Sequence, residues 1–180
     1  MTMNLGRALG MASLVAIVAV AGGCKQRVKM GKYNLQVTPD ASLRDAGGRL
    51  SPLEVDLVGV KEADINEWTG YSVDQYFSGE DARRRNAAPY TRTLLFSNDK
   101  SAAQMVPASD PIWQVWGERG VTQLFVFASS RSMQSQPGNE TRRKMIPLTT
   151  DRWDTNIKQI DIIVKSSGVE CPTPQKVMQQ

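Results

Sequence analysis

The sequence predicts a mainly β protein: an antiparallel β-sandwich of two sheets with one to three short helices. Several segments of the 180-residue chain alternate apolar and polar side chains, which is typical of strands with one buried face. The links between them are rich in Gly, Pro, Asp and Ser and lack the helical crossovers of a parallel sheet. Two sheets that bury their apolar faces against each other form a sandwich.

Residues 1–23 predict a secretory signal peptide. They carry one basic side chain, Arg7, and no acid, and then the apolar run Met11–Ala21. Small residues close the segment directly before Cys24. The apolar run is shorter than the roughly 20 residues that cross a bilayer. An uncleaved anchor and a soluble secreted protein remain the alternatives.

The position of Cys24 resembles that of the cysteine in a bacterial lipobox. Cleavage between Gly23 and Cys24 would then leave a lipid on the thiol, and two acyl chains anchor stably because each buried methylene contributes about 0.8 kcal/mol. Residues 24–31 are expected to be a lipidated tether. The sandwich domain is expected to span residues 32–166, with a flexible tail over 167–180.

The first two strands are predicted at Lys32–Thr38 and Pro52–Val60, where apolar and polar residues alternate. In the second strand, Glu54 and Asp56 lie opposite the apolar face and are expected to be solvated. The end of this strand, Val58–Val60, is apolar on both faces, which indicates deeper burial. The acidic loop between the two strands is predicted to form turns.

Helical spacing begins after the second strand. Glu62–Ser78 predicts one or two short amphipathic helices, broken near Gly70. The charged stretch Gly79–Ala88 is expected to be a loop. Asp110-Pro111 is a helix-start pair and predicts a short helix over Ile112–Trp116.

Four further strands complete the predicted six. The most apolar of them, Val121–Ala128, is expected to be central in its sheet, and Lys100–Asp110 is expected to be a loop. The four are Tyr90–Ser97, Val121–Ala128, Arg142–Leu148 and Asn156–Lys165.

Composition excludes several classes of function. The formal net charge of +4 is spread along the chain, unlike the clustered basic face of a nucleic-acid binder. The chain has no histidine, which removes the commonest general base and the usual zinc sites. No Gly-rich phosphate loop is present. We therefore expect no enzyme, no cofactor, no metal and no nucleic-acid partner.

Several residues are candidates for contacts. Trp113 and Trp116 share one helix face, so they either anchor a partner or pack on the sandwich edge. The basic runs Arg83–Arg85 and Arg142–Lys144 are expected to be solvated, or to contact anionic lipid or an acidic partner. Cys171 is expected to be an accessible thiol in a Pro-rich tail.

The stretch Tyr33–Val60 carries a family likeness. Pro39-Asp40 and Gly48-Arg49-Leu50-Ser51-Pro52 lie between its two strands, and this order resembles the TssJ family, the outer-membrane lipoprotein of type VI secretion systems. The aromatic helix Ile65–Phe77 and the strand Val121–Ala128 resemble later segments of that family.

The resemblance implies a non-enzymatic scaffold, anchored by lipid on Cys24 to the outer membrane and facing the periplasm. It also implies a partner, the periplasmic domain of an inner-membrane TssM-like protein. The alternative is a ligand- or peptidoglycan-binding lipoprotein of an unrelated system, with the Trp113/Trp116 segment as a stacking platform.

Overall fold

The computed structural model describes residues 29–133 and 140–176. These form two four-stranded sheets packed face to face, so the predicted β-sandwich is confirmed. The predicted signal peptide and the lipidation site Cys24 lie outside the described residues.

Each sheet combines strands from distant parts of the chain. The first sheet has the order β4-β1-β7-β8 and the second has the order β3-β2-β5-β6. The strands are β1 (Asn34–Pro39), β2 (Leu53–Lys61), β3 (Thr91–Phe96), β4 (Gln104–Val106), β5 (Val121–Ser130), β6 (Arg143–Pro147), β7 (Gln159–Lys165) and β8 (Gly168–Glu170).

All neighbouring strands are antiparallel except β1 and β7, which are parallel from Asn34↔Gln159 to Pro39↔Val164. The sequence argument against parallel pairing considered only the links between consecutive strands. This pair joins the first and the seventh strand, so no local turn dictates its direction.

Two three-residue strands escaped prediction. β4 lies in the expected loop Lys100–Asp110 and pairs with β1, and β8 lies in the expected tail and pairs with β7. Three residues are too few to show an alternation of apolar and polar side chains, so both depend on the strands beside them.

Four short α-helices lie among the described residues. α1 and α2 match the predicted pair of helices with a break at Gly70. α3 corrects the expected charged loop, and α4 runs two residues beyond Trp116. The helices are α1 (Ile65–Thr69), α2 (Val73–Tyr76), α3 (Ala82–Ala87) and α4 (Ile112–Glu118).

The space between the sheets holds the main core. β2 contributes Leu53, Val55 and Leu57, the side chains predicted to share its apolar face, and both β2 and β5 are central in their sheet, as expected for β5. Three of the four tryptophans are fully buried in this core: Trp113, Trp116 and Trp153.

A second, smaller core lies on the outer face of β2 and β5, under α1, α2 and α3. This layer explains why the end of β2 is apolar on both faces, because Val58 and Val60 face the helices there. The cluster comprises Val58, Val60, Trp68, Val73, Tyr76, Ala87, Phe125 and Phe127.

Residues 167–176, the first ten of the segment expected to be a flexible tail, make contacts with the sandwich. Val169 of β8 is buried in the main core, and Thr173 Oγ1 accepts a hydrogen bond from the Asp161 backbone N–H at 2.8 Å. The N–H of Lys176 donates to the carbonyl of Arg152 at 2.9 Å. Within the described residues, no helix is both long enough and apolar enough to span a bilayer.

Candidate functional site

A buried charge network lies where α2 and α3 cover the second sheet. Asp56 is 1% exposed, which corrects its expected place on a solvated strand face. Its Oδ2 accepts hydrogen bonds from Tyr76 Oη at 2.9 Å and from Arg84 Nε at 3.0 Å, and its Oδ1 accepts one from Thr93 Oγ1 at 2.5 Å. Glu54 forms an ion pair with Nη2 of the same guanidinium. Both oxygens of Asp56 are therefore engaged, and the arrangement holds elements together.

The network alters the acid–base properties of its members. Burial, reinforced by the charge of Asp56, raises the pKa of Tyr76 far above its ordinary value. Burial acts to lower the pKa of Arg84, but the carboxylates of Asp56 and Glu54 outweigh it and raise that pKa. Both groups therefore hold their protons at any physiological pH.

The basic run on α3 is packed against aromatic rings. The guanidinium of Arg83 lies 4.4 Å from the centre of the Tyr71 ring, and that of Arg84 lies 4.8 Å from the Phe77 ring. The expectation of solvated charge is wrong for these two residues, whereas Arg85 is exposed.

The first two residues of the second basic run, Arg142 and Arg143, bind other parts of the protein. Arg142 is buried and binds Asp74 at 2.7 Å and Glu140 at 2.9 Å, and these carboxylates raise the pKa of its guanidinium. Arg143 donates to the carbonyl of Tyr71. The run therefore ties the helical layer to β6, and only Lys144 of the run is exposed.

Two open depressions flank β3. One, of about 320 Å³, lies on the helix side and includes Arg85, Thr91 and Thr93 in its lining. The other, of about 440 Å³, lies towards α4 and includes Ile112 and Val115. The helix-side depression also includes Ser78, whose hydroxyl donates to the carbonyl of Gln75 and makes no hydrogen bond to the aspartates of the lining.

Trp113 and Trp116, the two candidate partner contacts, are both fully buried. Their indole N–H groups donate to the carbonyls of Pro107 at 3.0 Å and Tyr90 at 2.9 Å. The two rings meet edge to face at 4.9 Å. Neither is an exposed anchor, and the alternative that both pack into the sandwich is the one observed.

Cys171 and the two acids of the turn between β1 and β2 make contacts within the fold. Cys171 is half-buried against the main core, and burial raises the pKa of its thiol. Asp40 and Asp45 accept backbone N–H groups within their own turns, which lowers the pKa of each carboxyl. Gly48 lies in that turn at φ 74°, a conformation that glycine adopts without strain. Among the described residues, no group of three metal-ligating side chains occurs.

The described chain begins at one pole of the sandwich. The carbonyl of Lys29 accepts from the Thr150 N–H at 3.0 Å, and the Gly31 N–H donates to the Leu148 carbonyl at 2.8 Å. These bonds fix Met30 beside Thr149, where the two form an isolated bridge. The first described residues are therefore held beside residues 148–150.

Sequence reasoning missed the Asp56–Arg84 network. A signal was present: Glu54 and Asp56 alternate on the strand face that ends in Val58 and Val60, which the pattern itself marked as covered. An acid on a covered face needs a cation, and the adjacent charged stretch contains Arg84.

Comparison with solved structures finds the same fold. A chain of a structure described as the "Type VI membrane complex" matches with a TM-score of 0.53 and 12% identity, covering 80% of this chain and 98% of that chain. A structure described as "T6SS protein TssM C-terminal domain (869-1107) from EAEC" matches with a TM-score of 0.51 and 10% identity, covering 77% and 98%.

A third structure, of the T6SS lipoprotein TssJ1 from Pseudomonas aeruginosa, has a TM-score of 0.49 and 13% identity, covering 82% of this chain and 97% of that chain. No protein-family model and no curated protein matches the sequence. The two matches with TM-scores above 0.5 share the fold of this chain, and the suspected resemblance to the TssJ family agrees with them at the level of the fold.

Proposed function

We propose that this chain is a lipid-anchored envelope protein that acts as a non-enzymatic scaffold in the membrane complex of a type VI secretion system, in a TssJ-like role. The observation that carries the proposal is the fold, which covers 98% of a chain from a structure described as the type VI membrane complex. The lipobox-like Cys24 supports the anchor, and it is independent of the fold comparison.

The site chemistry supports a scaffold role over catalysis. The most buried carboxylate, Asp56, has both oxygens occupied by Tyr76, Arg84 and Thr93. A general base must come within hydrogen-bond distance of a substrate proton, and Asp56 is buried beneath the helical layer. The buried state of Trp113 and Trp116 removes the stacking platform on which the alternative ligand-binding function depended.

The proposed partner is the periplasmic domain of an inner-membrane TssM-like protein, with this chain on the outer membrane and facing the periplasm. The test is capture by the full chain, purified in detergent, of that domain from the protein encoded in the same genome. We expect saturable binding at micromolar concentration, and an unrelated outer-membrane lipoprotein serves as the control. No retention at concentrations of tens of micromolar (about −6 kcal/mol) would contradict the proposal.

The anchor has its own test. Cells grown with a palmitate analogue should label the wild-type protein and the Cys171→Ser variant equally. The Cys24→Ser variant should carry no label, because the acylated thiol is gone. Label that persists in Cys24→Ser would rule out acylation at that residue.

A further inference from the structure

The outer edge of β3 carries backbone groups that are free to pair. β3 bonds to β2 on one side, and no strand among residues 29–133 and 140–176 pairs with its other side. Two hydrogen bonds show which groups point to the free side. Gln104 Nε2 donates to the carbonyl of Leu95 at 2.7 Å, and the N–H of Thr91 donates to the carbonyl of Ala88.

Backbone directions alternate along an antiparallel strand, so Thr93 points to the same side as Thr91 and Leu95. The N–H and C=O of Thr93, the N–H of Leu95 and the C=O of Thr91 have no hydrogen-bond partner in the described part of the chain. Leu95 is 56% exposed, and the side chain of Thr93 is also exposed. Such a row of groups is a template for one more strand.

The two depressions lie on the two faces that such a strand would extend. Thr91 and Thr93 line the helix-side depression, and Arg92 lines the depression beside α4. Side chains alternate across a strand, so successive residues of an added strand would enter the two depressions in turn.

The chemistry of the two sides differs. On the helix side, the depression is lined by two acids, Asp56 and Asp81, as well as by Arg84 and Arg85. Both acids are buried and accept hydrogen bonds, Asp56 from Arg84 and Asp81 from the Tyr71 hydroxyl. Arg85 is exposed and has no carboxylate within ion-pairing distance among the described residues. On the other side, the half-buried Ile112 and Val115 of α4 offer apolar surface. An added strand therefore fits best with acidic residues on the first side and apolar residues on the second.

Arg92 adds selectivity at this edge. It occupies an inward-facing position of an edge strand, opposite Leu57, and binds Asp110 at 3.3 Å. An inward charge on an edge strand disfavours unselective pairing.

We propose that the free edge of β3 is the docking site for an extended segment of a partner protein in which acidic and apolar side chains alternate. The segment pairs with Thr91, Thr93 and Leu95 and places its acids beside Arg85. This inference rests on the edge geometry and stands independently of the proposed scaffold role.

The first test uses a fluorescein-labelled peptide in which glutamate and valine alternate. Its length of about nine residues lies within the usual range of a β-strand. Its anisotropy is measured with the full chain in detergent, and a peptide with lysine in place of glutamate is the control. We expect the glutamate peptide to bind about tenfold more tightly, and the Arg85→Glu variant to reverse this preference. Equal binding of both peptides, or no binding at about 1 mM (near −4 kcal/mol), would overturn the proposal.

The second test separates backbone pairing from side-chain contact. Thr93→Pro removes the N–H that points away from β2, a place where an edge strand tolerates proline. Thr93→Val keeps that N–H and loses only the hydroxyl that donates to Asp56. We expect Thr93→Pro to bind the glutamate peptide about tenfold more weakly and Thr93→Val to bind it within about threefold of wild type.

Thermal unfolding checks that Thr93→Pro is folded, and if it is not, the Arg85→Glu reversal decides. Wild-type affinity in a folded Thr93→Pro variant would contradict the proposal. Sedimentation of the full chain tests the other possible occupant of this edge, which is a second copy of the same chain. A dimer that Thr93→Pro abolishes would overturn the proposal by assigning the edge to a second copy of this chain.

Discussion

At the scale of single residues, Asp56 shows how a charge is held inside this protein. It lies under the helical layer, yet Tyr76, Arg84 and Thr93 satisfy its oxygens. A buried carboxylate without partners is strongly unfavourable, so the three donors are what make the position tolerable.

Replacing Arg84 by methionine should therefore destabilise the fold by about 3 kcal/mol, because Asp56 and Glu54 lose their cation while Asp56 stays buried. Chemical unfolding in urea measures the loss. Arg85→Met is the matched control, since that neighbour is exposed and should shift the free energy of unfolding by less than about 0.5 kcal/mol. Equal effects of the two substitutions would contradict the assigned role of Arg84.

The ionisation of Tyr76 makes the free energy of unfolding depend on pH in the alkaline range. Its pKa is raised by burial and by Asp56, so above about pH 10 the unfolded chain loses this proton while the folded chain keeps it. The contribution is therefore complete below pH 10 and is lost as pH rises. We expect the free energy of unfolding to fall by about 1.4 kcal/mol per pH unit more in wild type than in Tyr76→Phe.

Urea unfolding between pH 9 and about 11 gives the two slopes. The pKa values of Tyr33 and Tyr71 are also raised. Because both tyrosines are present in both proteins, their contributions to the two slopes cancel. Parallel slopes for wild type and Tyr76→Phe would show that Tyr76 ionises equally in the folded and unfolded chain.

At the scale of elements, close packing fixes how α4 lies on the sandwich. The ring of Trp116 packs directly over the backbone of β2 at Gly59, where any Cβ would overlap the indole. Glycine at this position is thus required by contact between a helix and a strand that are far apart in sequence.

Gly59→Ala should consequently cost about 3 kcal/mol, because the overlap falls on a rigid ring in a filled core. Differential scanning calorimetry of the variant measures the change. Gly79→Ala is the control, since a Cβ there meets no atom within 4 Å. A Gly59→Ala variant as stable as that control would mean that α4 moves aside easily.

At the scale of the whole molecule, the described residues form three layers, and Gly168–Glu170 belongs to the first sheet. β8 completes that sheet beside β7, and Val169 fills the core between the sheets. The boundary at residue 166 that the sequence suggested would cut through this sheet.

Truncation after Ser166 should lower the free energy of unfolding by about 3 kcal/mol or more, because it removes the β7–β8 ladder and the burial of Val169. Truncation after Lys176 retains every contact described above and is the control. Both are compared by urea unfolding. Similar stability of the two truncated chains would instead support the domain boundary at residue 166 that the sequence suggested.

The helical layer shows where sequence reasoning stopped. α1 and α2 have apolar residues at helical spacing and were predicted, whereas α3 reads as a run of charges. Its stability comes from the Asp81 cap, whose Oδ1 accepts from the Arg84 N–H at 2.7 Å, and from cation–aromatic contacts with other segments. Such contacts leave no periodic signal in the helix itself.

The sequence alone determined the longer strands and the sandwich class. Alternation of apolar and polar residues marked β1, β2 and β7 with their buried faces, and a continuous apolar run marked β5. The sequence also marked the end of β2 as covered on both faces. Tertiary structure alone decided the parallel β1–β7 pair, the strands β4 and β8, the burial of Trp113 and Trp116, and the charges gathered around Asp56. Each of these depends on contacts between residues distant in the chain, and local patterns do not encode which distant partner a residue meets.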